Sequence, residues 1–380
     1  MSEKICPVYK KCGGCQLQNL SYPEQLVYKQ NKVKRFLSGF VKPEKIIGMK
    51  NPYHYRNKVQ AAFATDSRGR IISGVYQSNS HRIVHVDQCL IEDMQADTII
   101  VDIRNLLRRF HLDTYDERRE RGFLRHVLVK RGFSTGEIMV VLVTATPVFP
   151  GKNNFIKVLR SLHPEITTMV QNINGGYTSL VLGEREKVLF GKGYIEDILC
   201  GLRFKISPKS FYQINSVQTE ILYSKAIGYA DLTGKEKILD AYCGIGTIGL
   251  IASKMAEEVI GVELNADAVR DAKANARLNG IANARFIEGD AGVFMTTMAQ
   301  NQGSPDVVFM DPPRAGSSPE FLNALLTVQP EKIIYISCNP ETMARDLRLL
   351  IREYQVLKLQ PVDMFPFTNH VECVALLVHR

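Results

Sequence analysis

Residues 237–264, KILDAYCGIGTIGLIASKMAEEVIGVEL, decide the fold. An apolar run ends at Asp240, glycines at 244 and 246 let the backbone turn tightly, a helical stretch follows, and a second apolar run closes on Glu263. The alternation continues through ARFIEGD, DVVFMDPP and KIIYISCNP, each followed by a helical segment. Continuous apolar strands separated by helices predict a doubly wound parallel sheet, an α/β domain over residues 206–380. The end of the chain breaks the rhythm. YQVLKLQPVDMF and VECVALLVHR have only a short link between them, which predicts a terminal antiparallel hairpin.

Upstream the periodicity differs. Leu26, Val33, Phe36 and Leu37 mark one apolar stripe of a helix between Pro23 and Phe40. VQAAFAT and IISGVYQ, separated by DSRGR, read as a hairpin. Strands follow at HVLVKRG, EIMVVLVTAT and EKVLFGKG, with helices near 93–110 and 153–163. Two regions are expected before the α/β domain: 1–95, with a cysteine-rich loop, a helix and a small β region, and 96–205, a central α+β region. A chain of 380 residues suits two or three domains. At 45% hydrophobic and 23% charged residues, disorder and collagen-like repeats are excluded. The 48 Lys and Arg against 39 Asp and Glu leave +9, an excess suited to a polyanion such as nucleic acid. No apolar run approaches the roughly 20 residues of a membrane span, and none follows the early lysines, so a cytoplasmic location is expected.

Open α/β sheets bind ligands beyond the carboxyl ends of their strands. The turn at 244–246, with Gly249 three residues on, suits a nicotinamide dinucleotide or S-adenosylmethionine, and Glu263 could hold the ribose hydroxyls of either. Asp311-Pro312-Pro313-Arg314 separates the two, because rigid prolines there present a carboxylate and a guanidinium that a dehydrogenase does not need. Ser337-Cys338-Asn339-Pro340 puts a thiol at the same edge, and Glu372 opens the last strand. A lone cysteine is often only a small buried hydrophobe, and a carboxylate on an edge strand often only faces solvent. Together they match methylation of a carbon that is not itself nucleophilic. C5 of uracil becomes nucleophilic once a thiolate adds to C6, a role for Cys338. A free thiol is only a few per cent ionised at neutral pH, so a nearby cation would help. The C5 proton must then leave to a general base, for which Glu372 is the candidate.

In this order and at these intervals, DAYCGIG, DPPRAG, SCNPETMARDL and DMFPFTNHVE resemble the RNA (uracil-C5)-methyltransferases, which use S-adenosylmethionine on a Rossmann-like sheet. SFYQIN at 210–215 resembles the FxQxN segment of that family. The resemblance implies cofactor contacts from Gln213, Tyr242, Glu263 and Asp311, the nucleophile at Cys338 and the base at Glu372. Asp290, after the third strand, is expected against the adenine by analogy with methyltransferase sheets. Phe367 stands where relatives often carry the histidine of FPHT, and Thr247 where some have asparagine.

Cys6, Cys12 and Cys15, with Cys89 far downstream, offer four thiols to zinc or to an iron–sulfur cluster. Zinc sites usually come as two close pairs. The subset of the family that acts on 23S ribosomal RNA has this spacing, and the resemblance implies its [4Fe-4S] cluster, in a structural role, and its substrate. The T-loop uridine of transfer RNA is the alternative substrate; an assembly factor that no longer catalyses, or methylation of an amino group, are further readings. Relatives with an N-terminal RNA-binding TRAM domain have more residues before the cysteines, so that module is expected to be lacking. Basic residues interleaved with aromatics, YHYRNK at 53–58 and RRERGFLRHVLVKR at 118–131, are the expected RNA contacts. The target uridine is expected in a loop or flipped from its stack.

Overall fold

The computed structural model describes residues 5–380 except 79, 81, 177, 179 and 302. In chain order the helices are α1 (Tyr9–Cys12), α2 (Tyr22–Leu37), α3 (Met94–Arg109), α4 (Lys152–Leu162) and α5 (Ser216–Ala230). They continue with α6 (Thr247–Ala252), α7 (Ala266–Leu278), α8 (Ala291–Gln300), α9 (Pro319–Val328) and α10 (Pro340–Leu350). The first strands are β1 (Lys58–Thr65), β2 (Ile71–Tyr76), β3 (Ile83–His85), β4 (Leu124–Arg131), β5 (Ile138–Thr144), β6 (Ile166–Ile173) and β7 (Arg185–Phe190). The later ones are β8 (Ile195–Leu199), β9 (Leu202–Ile206), β10 (Lys237–Ala241), β11 (Glu258–Glu263), β12 (Ala284–Glu288), β13 (Val307–Met310), β14 (Lys332–Ser337), β15 (Tyr354–Val362) and β16 (Glu372–His379). Among the described residues no helix is long and apolar enough to cross a membrane. The chain forms two compact units, one of residues up to 19, 52–198 and 205–209, the other of 20–51, 199–204 and 210–380.

The first unit is built on a seven-stranded sheet in the order β3-β2-β1-β4-β5-β6-β7. All its pairs are antiparallel except β5 with β6, which α4 connects. β5 is buried along its whole length, as its uninterrupted apolar sequence requires of a strand covered on both faces. Ile99, Ile103 and Leu107 of α3 and Phe155 and Leu159 of α4 join the strands' side chains in one core.

The second unit carries the expected α/β sheet, ordered β12-β11-β10-β13-β14-β16-β15. β10 to β14 run parallel, and the order reverses between β10 and β13, the place where such sheets open a ligand crevice. The C-terminal hairpin turns back so that β16 enters between β14 and β15. Glu372 therefore begins an interior strand, not an edge, and is 4% exposed. Ser337 pairs with Cys373, so one further step brings Cys338 and Glu372 to the same end of the sheet.

Helix α2 forms where periodicity placed it, opened by Glu24, which accepts the Ser21 backbone N–H at 2.8 Å as half of a capping box. Its most buried stripe differs from the apolar one read in the sequence: it is Gln25, Lys29, Val33 and Leu37, with Leu26 and Phe36 only partly buried. The polar half faces the segment between β15 and β16. Lys29 Nζ lies 2.6 Å from Asp363 Oδ1, both side chains fully buried, and donates to the Phe365 carbonyl at 2.9 Å. Gln25 Oε1 accepts the Phe367 N–H at 2.8 Å, and Tyr22 donates to the other Asp363 oxygen at 3.0 Å. Gln218 Nε2 of α5 donates to the Asp363 carbonyl and Asn215 Nδ2, at the helix's N-cap, to that of Met364, each at 2.9 Å. A hairpin link that would otherwise leave buried carbonyls without donors is thereby satisfied.

Removing one partner of a buried pair strands the other charge. Lys29→Met should lower the unfolding free energy by about 3–5 kcal/mol in urea titrations. Adding Asp363→Leu should recover only part of that loss, because the Tyr22 hydroxyl and the Phe365 N–H also bond to this carboxylate.

Candidate active site

The glycine turn after β10 forms the floor of the site. Tyr242, Gly244 and Gly246 all take left-handed backbone, with φ of 63°, 55° and 81°. For tyrosine that conformation stores about 1–3 kcal/mol of strain, which an edge-on packing of its ring on Phe321 helps to hold. A Cβ at residue 246 would come 2.8 Å from the Phe286 ring, whereas one at 244 would meet open space. Glu263 Oε2 accepts the Gly244 N–H at 3.0 Å and its Oε1 the Asn265 N–H at 2.8 Å, so the carboxylate is fixed beside the turn. The open face at Gly244 and this oriented carboxylate fit an adenosyl group with its ribose hydroxyls towards Glu263. Asp290 is exposed and caps α8, accepting the Val293 N–H at 3.0 Å.

Gln213 meets the same region from α5's side. Its side chain bonds the hydroxyl of Tyr223, which also lies 3.4 Å from the Thr247 hydroxyl and faces Asp311. Burial, with the charges of Asp311 and Asp240, holds that phenol protonated.

Asp311, Arg314, Cys338 and Glu372 converge at the ends of β13, β14 and β16. Burial pushes the Asp311 carboxyl up to about 7. Burial, then repulsion from Asp311, raises Glu372 well above the usual carboxylate range, with Arg314 opposing. The Cys338 thiol is half-exposed, so a substrate can reach it. Burial and Glu372 raise its pKa, while a hydrogen bond and the positive charge from Arg314 lower it. The cation expected to aid ionisation is present, but burial outweighs it. Arg314 Nη2 also lies 3.4 Å from His370 Nε2. In this arrangement a partly exposed thiol and a buried carboxyl lie near one another with a guanidinium beside them, which suits nucleophilic addition followed by proton removal.

The model of the tRNA (uracil-5-)-methyltransferase family matches residues 21–380. The chain belongs to that family. An uncharacterized RNA methyltransferase of Halalkalibacterium halodurans is 44% identical over 381 residues, 99% of this chain and 83% of that protein. One of Clostridium acetobutylicum is 44% identical over 384 residues, with the same shares. The crystal structure of the Pyrococcus abyssi tRNA (uracil-54, C5)-methyltransferase with S-adenosyl-L-homocysteine is similar at a TM-score of 0.80 and 30% identity, covering 96% of this chain and 86% of that one. The fold is thus that of S-adenosylmethionine-dependent methyltransferases, and the chain is of an RNA methyltransferase family.

Family membership sharpens the remaining expectations. Phe367, at the place of the family histidine, is 3% exposed with φ of 68°, so it fills core and cannot relay protons. The basic run on β4 turns inward: Arg125 donates to the carbonyls of Asn174 and Gly176 at 3.0 and 2.9 Å, Lys130 to that of Ser207 at 2.8 Å, and His126 is buried. Tyr55 and Asn57 are buried too. These segments are interior strand and its approach, and only Arg118, Arg119 and Arg121 of the second are left exposed for RNA. Lys29, Lys32, Asp363 and His370 escaped sequence reading because their roles arise from packing between α2 and the hairpin link.

Cys6, Cys12, Cys15 and Cys89 are free and half-buried in the first unit. α1 ends at Gly13, φ 71°, which turns the chain towards Cys15. Burial, then Cys12 and Cys6, pushes the Cys15 thiol up to about 12. Burial and Glu92 raise that of Cys89, and Glu92 also faces Cys12 and Cys15. Thiol chemistry suits iron or zinc, and Cys6 and Cys12 lie near enough to act on the Cys15 thiol, but among the described residues no three His, Cys, Asp or Glu side chains stand ready placed to hold a metal ion.

The buried carboxyls give the fold a pH dependence. Burial, then Asp311 and Glu263, raises Asp240 to about 7 against the N–H of Gly249. In the unfolded chain such a carboxyl ionises near pH 4, so the stabilisation is full below about pH 4 and is lost as pH rises towards about 7. Asp240→Asn should flatten the decline in unfolding free energy between about pH 4 and 7, measured by urea titration at each pH.

Proposed function

We propose that the protein methylates C5 of a uracil in 23S ribosomal RNA, giving 5-methyluridine, with Cys338 as nucleophile and Glu372 as base. The observation that carries this reading is the meeting of Cys338, Arg314 and Glu372 at one end of the sheet. Bound S-adenosylmethionine supplies an electrophilic methyl group. Gln213, Tyr242, Glu263 and Asp311 hold it, with Asp290 towards the adenine. Cys338 gives its proton to solvent, Arg314 stabilising the thiolate, and its sulfur bonds to C6 of the uracil, placing electron density on C5 and O4. C5 takes the methyl group as its bond to the sulfonium sulfur breaks, releasing S-adenosyl-L-homocysteine, and the Glu372 carboxylate then takes the C5 proton. The C5–C6 double bond re-forms as the C6–S bond breaks, and the thiolate returns.

The substrate within RNA rests on cysteine spacing, which resembles that of enzymes acting on 23S RNA. We also propose Cys6, Cys12, Cys15 and Cys89 as ligands of a [4Fe-4S] cluster; all four are free, and the first three lie on and around the short helix α1. Binding would have to draw the thiols together, and no catalytic step runs through it. A second reading, the T-loop uridine of transfer RNA, is favoured by the similarity to the Pyrococcus abyssi enzyme.

Uracil-5-tritiated RNA should release tritium to water with each methyl transferred, and Glu372→Gln should slow that release about 10²–10⁴-fold; retention of the label by the wild type would contradict C5 substitution. Because burial raises the pKa of both Cys338 and Glu372, kcat/KM should rise from neutral to alkaline pH, and Arg314→Met, which removes the opposing charge, should move the rise to higher pH. Mapping 5-methyluridine in RNA from a deletion strain decides between ribosomal and transfer RNA. Anaerobic protein should contain iron and acid-labile sulfide; zinc without iron would overturn the cluster.

A further inference from the structure

Beside Cys338 and Glu372 the second unit gathers more positive charge than the proposed reaction uses. Lys32 comes from α2, Arg314 from the segment after β13, and His370 from the link before β16. Arg314 Nη2 and His370 Nε2 are 3.4 Å apart. Lys32 Nζ donates to the Asn369 carbonyl at 3.0 Å, which sets its ammonium against the backbone next to His370. Burial, then Arg314, Lys32 and Lys29, hold the His370 imidazole down at about 4, so the ring is neutral.

Of these cations Lys29 is closed off in its ion pair with Asp363. Among the described residues, neither Lys32 nor Arg314 lies within ion-pair distance of a carboxylate. Glu341, in the first turn of α10, opposes Lys32 only at longer range. Burial also pulls the Lys32 ammonium below its usual value, so this charge is kept half-buried at a cost. A cation bonded only to neutral groups at the mouth of a site is matched by an anion that arrives with the substrate.

We propose that Lys32, Arg314 and His370 seat a phosphodiester flanking the target uridine, so that the backbone charge docks as the base meets Cys338. The proposal rests on the reading of Cys338 as the nucleophile towards uracil. Lys32 supplies a point charge, Arg314 a planar donor, and neutral His370 a ring nitrogen turned to Arg314, which orients the guanidinium. The uracil ring carries no charge, so such a seat would select a nucleotide within a strand over a free base.

The test uses the full chain, S-adenosylmethionine and a short uracil-containing RNA, with Lys32→Ala and Lys32→Arg. Lys32→Ala should lower kcat/KM by about tenfold or more, the loss falling on KM. The slope of log kcat/KM against log salt should shrink by about 0.7, as one phosphate contact on a single strand requires. Lys32→Arg should keep the wild-type slope, which separates charge from helix packing. As inhibitors, uridine 5′- or 3′-monophosphate should surpass uridine with the wild type and lose that advantage with Lys32→Ala. An unchanged salt slope, or uridine binding as well as both monophosphates, would overturn the phosphate seat. Wild type that prefers a monophosphate yet does not methylate C5 would support the seat and sink the assigned reaction instead.

Discussion

The buried ion pair between Lys29 and Asp363 is the constraint on which the site depends. It ties the first helix of the second unit to the link between the last two strands, residues more than 300 positions apart in sequence. A charge pair with no exposure is a poor way to gain stability for its own sake, since an apolar pair of the same volume would often do as well. What it secures here is a conformation. Asp363 starts the segment that ends in Glu372, and Lys29, Gln25, Gln218 and Asn215 hold that segment's backbone at four points. The inserted strand β16 then carries Glu372 to the thiol of Cys338 on its neighbour.

Two carboxyls, the partly buried Asp311 and the buried Glu372, share this end of the sheet with one guanidinium. Burial raises both pKa values, so the neutral form of Glu372 is favoured beyond the range of an ordinary carboxyl. For the base of the proposed reaction, this means that the electrostatics of the site have to favour the ionised form before it can accept a proton. Arg314 is placed to serve both partners, lowering the pKa of the thiol and offsetting the charge of the carboxylate.

Much of this was legible in the sequence because it is written in local pattern. Apolar strands with helices between them announce the α/β sheet, and the residues after each strand must line its crevice, which is how Glu263, Asp311 and Cys338 could be picked out. The hairpin was legible as two adjacent strands, but its insertion was not: nothing in VECVALLVHR tells whether it pairs outside β15 or between β14 and β15. That choice decides whether Glu372 faces solvent or lies buried. The stripe of α2 was misread for a related reason, since Gln25 and Lys29 are polar and only the distant Asp363 and Phe367 explain their burial. The β4 cations were misread in the opposite direction, as surface groups, because carbonyls far along the chain satisfy Arg125 and Lys130. Local pattern shows which residues an element contains, and packing between remote elements decides what they do.

The account stands or falls on a covalent bond between Cys338 and the pyrimidine. The most direct measurement is peptide mapping by mass spectrometry after incubating the enzyme and S-adenosylmethionine with RNA carrying 5-fluorouracil at the target. Fluorine at C5 cannot leave as a proton, so a denaturation-resistant adduct should accumulate on the peptide containing Cys338 and carry one added methyl group. An enzyme that methylates ordinary RNA yet forms no adduct with the fluorinated one, or forms it through a different cysteine, would contradict the mechanism.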